Sequence, residues 1–136
     1  MDMVPNMKKV EQILTEAGVI LGYLFGSRAT GNARADSDYD IAIYLPNKLS
    51  ASERFDTRLK LSEQLTSALG ATADVTILND TRSVLLRYSI ISEGKIIINT
   101  DDDVRVTLES RILSDYFDFE PFLTEYGKAY VQTHAQ

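Results

Sequence analysis

Apolar residues along the chain fall into short clusters separated by glycine or proline, and each cluster has its own period. Val10, Ile13, Leu14 and Ala17 recur at helical spacing and Gly18 follows as a closing residue, so a first helix is predicted over Met7 to Ala17. Val19 to Phe25 (VILGYLF) and Tyr39 to Leu45 (YDIAIYL) are apolar runs bounded by Gly18, Gly26 and Pro46, the pattern of buried strands. Ser50-x-x-Glu53 has the form of a capping box, and Phe55, Leu59, Leu65 and Leu69 continue as the inward face of a long helix ending at Gly70. A third strand is predicted over Ala73 to Leu78, then a helix through Val84, Tyr88 and Ile91 up to Gly94, then a fourth strand over Lys95 to Asn99. Asp101, Asp102 and Asp103 suit the positive end of a last helix, whose inward face carries Val104, Leu108, Ile112 and Tyr116 and which Pro121 bends or restarts. The order helix, strand, strand, helix, strand, helix, strand, helix predicts an α/β or α+β sheet with helices packed on it.

A length of 136 residues fits one domain over 1–136, and there is no internal repeat or low-complexity linker to divide it. With 44% hydrophobic and 25% charged residues, disorder is excluded as the ground state. The chain has no cysteine, which removes a disulfide scaffold, a thiolate nucleophile and Cys-ligated zinc. His134 is the one histidine and lies near the end of the sequence, so a Ser-His-Asp triad is disfavoured and any metal must be held by oxygen. That points to magnesium or manganese. Met1 to Val10 lacks the apolar core of a signal segment and no apolar run approaches membrane-spanning length, so a cytoplasmic protein is expected. The net charge of −6 disfavours bulk nucleic-acid binding while leaving room for a small phosphate pocket.

The stretch from Gly26 to Asp40 carries the chemistry. A Gly26-Ser27 turn leaving a strand and opening a short helix presents backbone N–H groups and a hydroxyl, which can hold a phosphate; an ordinary strand-to-helix turn uses the same residues. Asp38 and Asp40 are two apart at the start of the second predicted strand, so alternation sets both carboxylates on one face. Such a pair repels itself unless a cation lies between, although a solvated strand start would also suit it. Asp74, the acid at the start of the third strand, is the candidate for the third carboxylate of a two-metal phosphoryl-transfer site.

Gly26-Ser27, ten residues, Asp38-x-Asp40 and a later strand-borne Asp74 together resemble the nucleotidyltransferase superfamily that includes DNA polymerase beta. The small size resembles the minimal nucleotidyltransferases, the MNT antitoxins that pair with HEPN ribonuclease toxins. The likeness extends to the Leu85-Leu86 helix running to Gly94 and, more loosely, to the tail from Tyr116 to Phe122. It implies a nucleotidyltransferase fold with a small mixed sheet of about four strands. It implies that Asp38 and Asp40 hold Mg²⁺ on ATP, that Asp74 completes the metal site and helps deprotonate an acceptor hydroxyl, and that Gly26 and Ser27 cradle the β/γ-phosphates. Ser37 would add a hydroxyl contact and Arg28 would neutralise phosphate charge, although both also suit a surface loop. The activity implied is transfer of AMP from ATP to a tyrosine of a cognate HEPN toxin. The alternatives are a small-molecule, antibiotic-modifying nucleotidyltransferase and a non-catalytic antitoxin that acts by binding alone.

Among the seven tyrosines, Tyr23, Tyr44 and Tyr88 fall on predicted core faces, whereas Tyr39, between the two acids, stacks near a nucleotide or lies on the surface. The aromatic tail from Tyr116 to Tyr126 packs on its own sheet or docks a partner, and His134 belongs to a frayed end.

Overall fold

Each predicted strand forms, and pairing partners rather than chain order decide where it lies. The computed structural model describes residues 4–134, with the side chains of all of these except residue 124 and residues 126–134. The elements are α1 (Met7–Glu16), β1 (Leu21–Phe25), α2 (Ser27–Thr30), β2 (Tyr39–Tyr44), α3 (Ala51–Leu69), β3 (Ala73–Ile77), a 3-10 turn (Leu78–Asp80), α4 (Val84–Glu93), β4 (Lys95–Asn99) and α5 (Asp102–His134). The strands make one mixed sheet of order β3-β2-β1-β4; β1 is antiparallel to β2 and β4, while β2 and β3 are parallel. Parallel neighbours cannot be joined by a tight turn, and α3 is the crossover that this pairing requires.

Alternation along the strands divides the core. Leu24, Ile41, Ile43 and Val75 face α1 and α3, where they meet Val10, Leu14, Leu61 and Leu65. Leu21, Tyr23 and Ala42 face the other side, against Ile90 of α4 and Leu108 and Ile112 of α5. The buried Tyr23 hydroxyl donates to Glu109 at 2.6 Å and ties β1 to α5; burial and this acidic acceptor both push the phenol upward. Tyr116 stacks on Tyr88 with ring centroids 3.6 Å apart, which joins α5 to α4. Among the described residues no helix is long and apolar enough to cross a membrane.

Two expectations are corrected. The capping box on α3 forms as predicted, with Ser50 and Glu53 exchanging hydrogen bonds, but the buried line is Leu61, Leu65 and Leu69. By the helical period Phe55 and Leu59 fall roughly 120° and 160° round from Leu61, and both stay half exposed. Pro121 does not restart the last helix, which runs through it as one element. The one hydrogen bond it forgoes, to the Phe117 carbonyl, lies on an exposed stretch, where its loss costs least. Of the aromatic tail, Tyr116 packs inward while Phe117 and Phe122 are exposed; the side chains of Tyr126 and His134 lie outside the described residues.

The polar stripe of α3 has a separate task. β3 is a sheet edge, and three of its outward backbone groups are bound by side chains of that helix. The Ala73 N–H donates to Thr66 Oγ1 at 2.9 Å, the Ser62 hydroxyl donates to the Ala73 carbonyl at 2.7 Å, and Arg58 Nε donates to the Val75 carbonyl at 2.9 Å. Thr81 adds a fourth bond to the Ile77 carbonyl at 2.9 Å. Arg58, Ser62 and Thr66 are four residues apart, so a single helix face covers the edge that would otherwise recruit another strand. Thr66→Val and Ser62→Ala are each expected to cost about 1 kcal/mol in chemical denaturation because part-buried strand groups lose their partners. Ser67→Ala, on the solvent side of the same helix, is expected to be near neutral.

Candidate active site

At the end of β1 the backbone turns at Gly26 with φ 72° and ψ −157°, a region essentially reserved for glycine. A Cβ at this position would also strike the Asp40 carboxylate, at Oδ2. Gly26 is thus required twice, once by the turn and once by the acid lying against it. α2 follows as a single turn, in which the N–H groups of Ala29 and Thr30 bond the Gly26 carbonyl and those of Ser27 and Arg28 have no intrahelical acceptor.

Strand register assembles the acids. Asp40 stands opposite Asp74 in the parallel β2–β3 pair and opposite Phe25, the residue before Gly26, in the antiparallel β1–β2 pair. Asp38 lies just ahead of β2. Asp40 is half-buried, and its carboxyl is held above the usual carboxylate range first by burial, then by the charge of Asp74 and then by that of Asp38. Among the described residues none of the three is ion-paired to lysine or arginine. The predicted site residues Gly26, Asp38, Asp40 and Asp74 therefore converge, with Ser27 beginning the next helix.

Repelling carboxylates with no basic partner and only oxygen donors match a hard divalent cation in kind. Among the described residues no group of three His, Cys, Asp or Glu side chains is placed to hold a metal ion. Magnesium does not require one, since it keeps waters and substrate phosphates beside one or two carboxylates.

Arg28 and Ser37 are engaged within the loop. Arg28 donates through Nε and one terminal nitrogen to the Ser37 carbonyl at 3.3 and 2.8 Å, and through that nitrogen to the Ala35 carbonyl at 3.2 Å. Its guanidinium sits 4.2 Å from the Tyr39 ring centroid. The Ser37 hydroxyl accepts from the Arg34 N–H at 2.8 Å and closes the turn before Asp38. Tyr39 is buried in the core below α3, not on the surface or on the side of the acids, because alternation turns it away from Asp40.

Sequence reasoning did not find the groove beside Asp74, a hollow of about 450 Å³ lined by Phe55, Arg58, Asp74, Thr76 and Thr81 among others. Phe55 gave no signal of it, because apolar periodicity placed that residue on the inward face of α3. Arg58 carries no mark in a sequence, since surface arginines on helices are common.

The raised Asp40 carboxyl has a stability consequence. Its folded-state value lies above its unfolded one, so the charged form costs stability at pH values above the raised value, and this cost disappears as pH falls below the ordinary carboxylate range. Asp40→Asn is expected to raise the melting temperature at pH 7, with the gain shrinking toward zero under acid; thermal unfolding of both proteins from pH 3 to 8 checks it.

The family described as Polymerase beta, Nucleotidyltransferase matches residues 8–103. The protein adenylyltransferase MntA of Shewanella oneidensis is 32% identical over 81 residues, 60% of this chain and 55% of that protein, so the chain spans about half the length of the curated relative it matches. A chain in the crystal structure of a toxin-antitoxin with AMP-PNP superposes with a TM-score of 0.71 at 26% identity, over 96% of this chain and 99% of that one. The structure of a tri-AMPylated Shewanella oneidensis HEPN toxin in complex with MNT antitoxin has a chain of the same fold, with a TM-score of 0.65 at 24% identity over 96% and 97% of the two chains. With the family match covering most of its length and its acids gathered at the Gly26 turn, this chain belongs to the polymerase beta nucleotidyltransferase family.

Proposed function

We propose that this protein is an antitoxin enzyme that transfers AMP from ATP to a tyrosine hydroxyl of a cognate HEPN ribonuclease toxin in the cytoplasm and so silences it. The observation that carries the reading is Asp40, lying against the Gly26 turn, opposite Asp74 and in the field of Asp38. The choice of nucleotide and partner is supported by the likeness to an adenylyltransferase and to a toxin-antitoxin chain crystallised with AMP-PNP.

Asp38, Asp40 and Asp74 are the residues that would hold Mg²⁺, which when bound supplies positive charge against the phosphates of ATP. Gly26 and Ser27 hold the β/γ-phosphates through backbone N–H groups and the Ser27 hydroxyl. Arg28 and Ser37 shape the loop that delivers Asp38, and the cation of Arg28 adds attraction for the phosphates. Asp74 is exposed to the groove beside Phe55 and Arg58, where a tyrosine side chain can reach it. There it takes the proton of the acceptor hydroxyl as the oxygen attacks the α-phosphorus; the bond to the β-phosphate oxygen breaks and pyrophosphate leaves. No covalent enzyme intermediate is needed, in keeping with a chain that has no cysteine.

Intact mass of the protein encoded beside this one, after incubation with the full chain, ATP and Mg²⁺, tests the reading. Mass increments of whole AMP units are expected, and Asp38→Asn/Asp40→Asn is expected to slow their appearance on the order of 10³-fold. A stable complex that never gains mass would replace transfer with inhibition by binding, and undiminished transfer by the double variant would remove the acids from the site.

A further inference from the structure

This chain has 14 basic residues against 20 acidic ones, yet three of its arginines meet in one hollow. Arg82 from the segment before α4, Arg87 from α4 and Arg111 from α5 line a groove of about 480 Å³ with Tyr44 at the end of β2. Tyr44 shares its strand face with Asp40, four residues away, so the groove lies roughly 13 Å along the strand from the acids. Asp80 and Thr81 line both this groove and the hollow beside Asp74, so the two adjoin, but none of Gly26, Ser27, Asp38, Asp40 and Asp74 is among its walls.

Its acidic neighbours neutralise it only in part, Asp80 lying in the field of Arg82 as well as of Arg54. Asp80 lines the groove, but both its carboxylate oxygens are taken by Arg54 at 2.7 to 3.2 Å. Asp115 lies 3.7 Å from a terminal nitrogen of Arg87, long for a charge-assisted bond. Asp103 stands only in the adjoining hollow past Arg111. Among the described residues Arg82 and Arg111 have no ion pair, and Arg87 Nε is buried with no hydrogen-bond acceptor. A buried guanidinium N–H without an acceptor is costly, and an anion in the groove would supply one.

We propose that this groove is a second anion site, separate from the acidic centre, that binds a phosphate-bearing small molecule through Arg82, Arg87 and Arg111. Three guanidinium groups arriving from a loop and two helices suit the tetrahedral oxygens of a phosphate better than the two coplanar oxygens of a carboxylate, which one arginine fork can satisfy. The groove is also of the size that small ligands occupy. Binding here needs no divalent cation and does not depend on the transfer reaction.

The test is a titration of the ¹⁵N-labelled full chain with inorganic pyrophosphate in metal-stripped buffer, followed by nuclear magnetic resonance. The Arg87 Nε–H signal and the backbone amides from Arg82 to Arg87 are expected to shift and saturate. Arg82→Gln/Arg111→Gln, at two exposed positions that take part in no salt bridge among the described residues, is expected to weaken binding at least tenfold, while Asp38→Asn/Asp40→Asn leaves it unchanged. Shifts confined to Gly26 through Thr30, or shifts that persist unaltered in the arginine double variant, would overturn the proposal. So would a response to a polyglutamate peptide but not to pyrophosphate, which would make the groove a docking face for an acidic protein.

Discussion

The parallel pairing of β2 with β3 is the constraint on which the rest of this structure depends. It sets Asp40 across from Asp74, two acids more than thirty residues apart in the chain. It requires a crossover, which α3 supplies, and it leaves β3 as an edge. The same helix then covers that edge with Arg58, Ser62 and Thr66, so one element both makes the pairing possible and protects it.

The site assembled by this pairing works against the stability of the fold. Burial and two like charges oppose ionisation of Asp40, and Gly26 admits a carboxylate into contact with its backbone at the expense of chain entropy. Nothing in packing rewards either arrangement. Local destabilisation of this kind is characteristic of sites arranged for a charged ligand, where a cation or a polyphosphate restores the balance. Around it the protein is rigid by ordinary means: Arg28 is held by two carbonyls and the Tyr39 ring, and Tyr39 is rooted in the core.

Charge is unevenly placed along the sheet. Acids stand where β2 and β3 begin, and arginines gather where β2 ends. Between them the same face is covered by α4 and α5, which are fastened by the Tyr88–Tyr116 stack and by the hydrogen bond from Tyr23 to Glu109. The net charge of −6 conceals this arrangement, since it is a sum over the chain and carries no information on position.

By itself the sequence determined the element types and most of their bounds, because periods of two and 3.6, glycine stops and the Ser50–Glu53 capping box are local signals. The spacing of Gly26-Ser27 and Asp38-x-Asp40 also singled out acids that the fold brings together, since a turn and a strand start are short-range features. Pairing was decided only by tertiary structure. Apolar periodicity marks Phe55 and Leu59 as hydrophobic but cannot say that Leu61 takes the core line while Phe55 looks over the edge of β3. Beside two aspartates, Tyr39 reads as a nucleotide-stacking or surface residue, yet a strand presents alternate residues to opposite faces, and the face opposite the acids is core. Arg82, Arg87 and Arg111 are unremarkable along the chain and become a cluster only when a loop and two helices close over one end of the sheet. Such juxtapositions are long-range contacts, and a single sequence holds the residues without the distances between them.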